Sequence, residues 1–461
     1  MFSIRLVNLI LILLVTSACH SIDPIQRPDI PVSAAWNTPQ VDAEISSINS
    51  DWWKNFNSPE LNRLIDVSLT QSPDLRIAAE RVRQAELQMN IAGASLFPAL
   101  SLTASSGSNR TRADSENSWQ SGDSSRVSLG ASYEVDLWGR LAASRALAQA
   151  SFNATEFDFE SARLSLTGGV ASAWFQYLAL QQREYTAREN IRIAQRVYDI
   201  VDVRYQNGVA TAADRARQRT NLLSQQAALL PLQLQIRQTR AALAVLLGQI
   251  PQGFALNDEQ LMQLNLPSIT AGVPAEVIVR RPDIASAEAQ LQAADADVAM
   301  ARTALLPSLQ LGASAGSAAA ALFALSDPTN SLGWSLSLAQ TLFDGGRLRN
   351  QTAISESRRV ALVEQYRGAI IIALQEVDDA LDRMDVNQQQ EQSQTQIVAQ
   401  AQRTLELTEV RYREGSDDLL ALLDAQRSLF QAQDQLVLQR QARLNAAVDL
   451  FKALGGGWLD R

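Results

Sequence analysis

Histidine and cysteine are almost absent from this chain of 461 residues: there is one of each, side by side at Cys19 and His20. A lone cysteine excludes disulfides and thiolate-zinc sites, and a lone histidine removes most nucleophile–histidine catalysis. Little acid–base capacity is left near neutral pH. There is also no Walker-type phosphate loop, no paired-carboxylate spacing that stands out and no metal-ligand cluster, so neither an enzyme, a resident metal nor any cofactor is expected. Positive charge is not in excess: the net charge is −9, which makes nucleic acid an unexpected partner. Past the N-terminus no apolar run is long enough for a transmembrane helix. What is present is 46% hydrophobic and 19% charged, enough to bury a large core.

The N-terminus carries export information. In MFSIRLVNLILILLVTSAC a single basic residue, Arg5, precedes an apolar run from Leu9 to Val15, then Ser17 and Ala18 directly before Cys19. The run is too short for a permanent membrane helix. It resembles a bacterial lipoprotein signal, cut before a cysteine that is then diacylated, although Thr16 stands where leucine is commonest. The alternative is a plain secretory signal with an idle cysteine. The expected layout starts with a signal peptide over 1–18 and a lipidated extended segment over 19–58. Residue 20 is histidine rather than aspartate, which favours the outer membrane over retention at the inner one.

The remainder is written twice. Pro73-Asp74 recurs as Pro282-Asp283 and Pro98 as Pro307, each at an offset of 209 (282 − 73). DLWGRL (Asp136–Leu141) resembles FDGGRL (Phe343–Leu348), and VRYQNG (Val203–Gly208) resembles VRYREG (Val410–Gly415), at an offset of 207 (415 − 208). Repetition at this length means a duplicated structural unit. The repeats are assigned to 59–257 and 258–457, with a short tail over 458–461. Each reads as helix, strand, loop, strand, very long helix, turn, long helix. Prolines open helices at their first position or end them before strands, and Gly248 and Gly455 look like helix C-caps. Strands are expected over about 98–111, 125–137, 307–320 and 332–343. Long helices are expected over 139–206, 210–248, 346–413 and 417–455, with the repeat turns at Gly208 and Gly415.

The longest helices hold no proline for more than sixty residues and would approach about 100 Å each if continuous. Leu423, Phe430, Val437, Leu444 and Phe451 recur every seven residues, which implies left-handed supercoiling. Pro231 is expected to kink the first return helix. The strands alternate apolar with small or polar residues. That pattern fits a membrane β-barrel and equally a half-buried antiparallel sheet. The export signal, and aromatics near the strand ends (Phe97, Trp138, Phe343), favour the barrel. Four strands cannot close one, and open edges are not tolerated in lipid, so several copies must contribute. Two copies reach the minimum of about eight strands; three would give a wider, water-filled pore.

VIVRRPDIASAEAQLQAADADVAMARTALLPSL, together with FDGGRL, RYREG and LLDAQRSL in that order, is similar to the signature of the outer-membrane efflux protein family. It is closest to the lipoprotein branch serving resistance-nodulation-division pumps. The resemblance runs from about Trp52 to Gly457. It implies a mixed α/β membrane protein: a homotrimer with a shared twelve-stranded β-barrel continuous with a long α-helical coiled-coil tunnel in the periplasm. It implies a periplasmic adaptor and an inner-membrane pump as partners, and a gated, passive exit duct for drugs or other small molecules, embedded in outer-membrane lipid.

The family places the turn between the long helices at the periplasmic tip, where the tunnel is pinched shut. Asp424 matches a constriction carboxylate, but the companion position is Ala421. Asp417 and Asp418 are further gate candidates that would supply charge at another height. The competing reading makes all three solvated helix-start acids. Tyr412 and Tyr205 match positions that tie neighbouring helices in the closed state, with ordinary coiled-coil packing as the alternative. Two other functions stay open: a type I secretion or metal-efflux conduit of the same fold, and a coiled-coil surface lipoprotein without a pore.

Overall fold

The computed structural model describes residues 33, 35–36, 49–112, 118–269 and 271–458. The signal segment and Cys19 lie outside the described residues. A short 3-10 turn (Trp52–Phe56) precedes helices α1 (Pro59–Gln71) and α2 (Pro73–Ala94), strands β1 (Ala99–Thr111) and β2 (Gln120–Val135), and helices α3 (Arg140–Gln206) and α4 (Ala212–Leu246). The second repeat follows as α5 (Pro274–Arg280), α6 (Pro282–Thr303), β3 (Ser308–Ala319), β4 (Thr329–Ala339), α7 (Arg347–Arg413) and α8 (Leu419–Ala453). The two longest helices, α3 and α7, have 67 residues each. Helix α4 runs through Pro231 without interruption. Among the described residues no helix is long and apolar enough to cross a membrane.

The two compact units of the chain do not follow the two sequence repeats. One is built from Arg81–Glu156 with Ser286–Arg367; the other holds the described residues of Ile30–Glu80, Phe157–Ala285 and Gly368–Arg461. The reason is the sheet. Its order is β1-β2-β3-β4, and the antiparallel β2–β3 pairing joins the two repeats in a single layer.

Register makes the two faces of that sheet chemically distinct. Leu102 stands opposite Leu129, Leu129 opposite Ala315, and Ala315 opposite Leu332. One step lower, Leu100, Ala131, Ala313 and Trp334 form the next row, and Tyr133, Leu311 and Leu336 another. Successive side chains alternate faces, so these rows share one apolar face. The other face carries Ser101, Gly130, Ser314 and Gly333, then Thr103, Ser128, Gly316 and Ser331. The apolar face is bare: Trp334 is 84% exposed and all of β4 is exposed. The outer edges of β1 and β4 pair with nothing among the described residues. Of the three expected girdle aromatics, Phe97 and Phe343 are exposed, while Trp138 is half-buried and donates its indole N–H to the Pro307 carbonyl at 2.7 Å. Strand β2 starts five residues earlier than the alternation suggests, and β4 three, because Gln120–Ser124 and Thr329–Ser331 are polar on both faces.

The second unit has an ordinary core. Trp52 stacks on Phe451 at 5.2 Å, and Phe56 packs against Phe175 at 5.0 Å. The heptad residues Phe430, Val437, Leu444 and Phe451 are buried. Each repeat closes on a glycine against a carbonyl. A Cβ on Gly248 would sit 2.5 Å from the Gln71 oxygen, and one on Gly455 would sit 2.2 Å from the Arg280 oxygen. Gln71 and Arg280 are themselves repeat equivalents (280 − 71 = 209). Beside the second corner, buried Arg281 pairs with Asp283 (2.7 Å) and Glu376 (2.6 Å); burial pulls its guanidinium pKa down, but these two carboxylates outweigh it and hold the pKa above the usual value. The polar stretch Asn387–Gln396 is mostly exposed, yet one face of it is engaged. Glu391 is gripped by Arg440 (3.2 Å) and Arg443 (2.9 Å), and Arg440 also donates to the Leu264 carbonyl (2.6 Å).

Candidate gate at the helical turns

Both long-helix hairpins turn by the same device. A glycine in the left-handed region, Gly208 at φ +74° and Gly415 at φ +77°, ends α3 and α7. In the first turn Gly208 N–H donates to the Tyr205 carbonyl (3.0 Å) and Val209 N–H to the Arg204 carbonyl (2.8 Å). In the second, Gly415 N–H donates to Tyr412 (3.1 Å) and Ser416 N–H to Arg411 (2.9 Å). These paired bonds satisfy the last carbonyls of the helix, and glycine takes the left-handed turn without a Cβ penalty. The return helices start on capped ends. Thr211 and Asp214 form a reciprocal capping box on α4, and the Asp418 carboxylate accepts the Ala421 N–H (2.8 Å) on α8.

The two repeat-related tyrosines have different surroundings. Tyr412 is buried against Val201, Leu405, Leu419 and Leu422. The guanidinium of Arg204 lies 4.7 Å from its ring centroid and donates to its backbone carbonyl at 2.5 Å. Burial pushes the Tyr412 phenol above its ordinary pKa, against the opposing pull of Arg204. Tyr412 thus ties α7 to α3. Tyr205 is exposed, and the cation over it is Arg215 at 5.3 Å, which also pairs with Asp202 at 2.5 Å. That contact braces α3 against its own return helix.

The acids divide as well. Asp418 is the N-cap of α8, so its carboxylate is already engaged. Asp417 pairs with Arg411 at 3.0 Å. Asp424 is 55% exposed, pairs with Arg427 at 2.9 Å, and lines a groove of about 1090 Å³ among α3, α4 and α8, with Arg183, Arg217, Phe430 and Asp434. Arg217 is its repeat equivalent (424 − 207), and Asp214 is the equivalent of Ala421 (421 − 207). The carboxylate missing at Ala421 is therefore present in the other repeat, where it serves the capping box. Among the described residues no three acidic or histidine side chains gather closely enough to hold a metal ion.

The residues that join the two hairpins were not singled out by sequence reasoning. Besides Arg204 they are the bidentate pair Arg183–Asp434 (2.6 and 3.1 Å), Arg196–Glu409 (3.7 Å) and the amide bond from Asn221 to Gln426 (3.1 Å). A signal for Arg204 existed: VRYQNG and VRYREG both place an arginine beside the tyrosine.

Comparison with known proteins meets this geometry. The family profile described as "Outer membrane efflux protein" matches residues 64–249 and 273–456, one block in each repeat. The chain is 40% identical over 433 residues to the pyoverdine export outer membrane protein OpmQ of Pseudomonas putida, spanning 92% of both chains. It is 32% identical over 471 residues to the outer membrane protein OprJ of Pseudomonas aeruginosa, spanning 98% of this chain and 96% of that one. Among solved structures, the CmeC outer membrane channel of Campylobacter jejuni superposes with a TM-score of 0.86 at 26% identity, over 94% of this chain and 93% of that one. The open-state MtrE outer membrane channel of Neisseria gonorrhoeae gives 0.85 at 27%, over 95% and 98%. With both repeats matched by one profile and full-length relatives above 30% identity, the chain belongs to the outer membrane efflux protein family.

Proposed function

We propose that this outer-membrane efflux channel is the exit duct of a tripartite pump, working as a homotrimer with a periplasmic adaptor and an inner-membrane pump of the resistance-nodulation-division type. The carrying observation is the sheet: one face apolar over four successive rows, from Val135, Leu309 and Leu338 to Leu102, Leu129, Ala315 and Leu332, one face rich in serine, threonine and glycine, and two edges unpaired among the described residues. Lipid cannot satisfy the exposed N–H and C=O groups of an open edge. Pairing β1 of one copy with β4 of the next removes both edges, and three copies close twelve strands around a water-filled lumen lined by the polar face. The protein conducts rather than catalyses.

The cargo class is small organic molecules. Relatives spanning nearly the whole chain are named for pyoverdine export and for toluene and antibiotic efflux, which favours this reading over type I secretion or metal efflux. In this reading Cys19 carries a diacyl lipid; Cys19→Ser should abolish labelling by a palmitate analogue, and persistent labelling of the variant would overturn the anchor. The aperture is gated at the helical turns. Arg204 on Tyr412 holds the hairpins together, and Asp424 faces the conducting path, with Asp417, Asp418 and Tyr205 in supporting roles. Single-channel recording in planar bilayers tests pore formation. A drug-susceptibility panel on a deletion strain complemented with this chain tests the cargo. Absence of channels from intact trimers would overturn the reading.

A further inference from the structure

We infer that the segment Ala321–Leu325 between β3 and β4 is a membrane-docking loop, whose partner is the acyl chains of the bilayer leaflet at the hairpin end of the sheet. The inference rests on the proposed barrel and adds to it a lipid contact made by irregular chain rather than by strand.

The loop lies on the apolar face. Ser106 and Ser125 stand opposite each other in the β1–β2 register, and Ser125 stands opposite Ala319. Alternation puts Ser106 on the face of Leu102 and Leu100, and Ser125 on that of Val127 and Leu129. The two hydroxyls bond to each other at 2.8 Å. Ser125 Oγ donates to the Ala321 carbonyl at 2.6 Å, and Ser106 Oγ accepts the Phe323 N–H at 2.9 Å. The loop backbone therefore sits over the outward serines. Ser125 and Ala319 are buried, while Leu322, Phe323 and Leu325 stay exposed, Phe323 by 84%. Phe323 holds φ +53°, a left-handed conformation unusual for a bulky residue, while its ring points to open space.

Three physical points converge on lipid. First, the strands alone make a short apolar band. From Val135 to Val127 is eight steps of about 3.4 Å, which a tilt of about 40° projects to about 20 Å, against an apolar band of about 25 Å in such barrels. On β3 and β4 the Val127 row is already polar, with Ser317 and Asn330, and the next row begins with Ser106 and Ser125; the loop covers the serine row and supplies leucine and phenylalanine in its place. Second, irregular backbone facing lipid must have its polar groups satisfied by protein. The two serine hydroxyls do this for one carbonyl and one N–H of the loop on its sheet side, so the loop belongs at the boundary of the hydrocarbon, with its remaining backbone groups on the headgroup side and only the Leu322, Phe323 and Leu325 side chains among the acyl chains. Third, the loop continues an apolar face already bare over four strands, so the same acyl chains meet both.

The test uses the full-length chain in lipid nanodiscs, with a nitroxide on Phe323→Cys or, separately, on Leu325→Cys. Collision with oxygen, which partitions into acyl chains, is compared with collision with a water-soluble nickel chelate. Leu102→Cys, in the middle of the band, reports on the barrel itself, and the parent chain gives any background from Cys19. The expected result is a collision ratio shifted toward oxygen at both loop sites, in the same sense as at Leu102. The double variant Ser106→Ala/Ser125→Ala should shift the loop sites toward the chelate and leave the Leu102 site unchanged. If Leu102→Cys favours oxygen while both loop sites favour the chelate, the loop is in water and the inference is overturned while the barrel stands. If the loop sites are closed to both reagents, a second copy covers them and the lipid assignment is wrong. If Leu102→Cys also favours the chelate, the barrel reading fails and takes the inference with it.

Discussion

Asp424 and Arg204 are the two side chains through which the proposed gate is most directly tested. Asp424 is exposed and offset by Arg427 across an exposed ion pair, a contact worth at most about 1 kcal/mol. Removing a unit charge near a permeating ion in a water-filled aperture changes its energy by about 1 kcal/mol at about 4 Å, a roughly fivefold effect. Asp424→Asn should therefore lower the cation-to-anion permeability ratio a few-fold and weaken block by divalent ions from the periplasmic side. Arg427→Gln, which frees the same carboxylate, should raise both. Reversal potentials in a salt gradient read the ratio. Equal effects of the two variants would mean the pair lies off the conducting path. Asp418→Asn keeps an N-cap acceptor and should change selectivity little. At Arg204 the substitution to glutamine removes a cation over a buried ring and a charged hydrogen bond to the Tyr412 carbonyl, together about 2 kcal/mol. The tie is between α3 and α7, so its loss should raise open probability at rest. Tyr205→Ala should not, since Arg215 over Tyr205 braces a single hairpin. Recording the two variants side by side separates a latch from general loosening.

Elements begin and end where glycine and proline allow, and this is where the sequence was most informative. The long helices lie within two residues of the bounds drawn from Gly139, Gly208, Gly248, Gly346, Gly415 and Gly455. Strand cores followed from alternation. Strand ends did not, because past the apolar band β2 and β4 are polar on both faces and carry no period-two signal. Contacts between helices distant in sequence left no pattern either: nothing in NQQQEQSQTQ marks Glu391 for its clamp by Arg440 and Arg443. The glycines also differ in what they tolerate. A Cβ at Gly415 meets nothing within 4 Å, so Gly415→Ala bears only the left-handed strain, about 1 kcal/mol. A Cβ at Gly455 would lie 2.2 Å from the Arg280 carbonyl oxygen, so Gly455→Ala must also displace backbone, adding about 1–3 kcal/mol. Thermal unfolding should rank Gly455→Ala well below Gly415→Ala. The reverse order would mean that the corner beside Arg281 yields easily.

At the scale of the whole molecule, the duplication explains why sequence halves and compact units differ. Each repeat sends two strands to one shared sheet and two long helices back out, so neither half is complete alone. The sheet carries the central claim of the proposed function, that three copies of it close one pore. A single copy leaves two strand edges and the apolar face carrying Trp334 and Leu332 without partners. The most direct measurement is native mass spectrometry of the detergent-extracted protein, paired with bilayer recording of the same fraction. The account predicts one conducting species at three times the mass of the processed chain, which weighs 50.4 kDa before the signal segment is removed, and no conductance from any monomer. A stable monomer that opens channels by itself would contradict it.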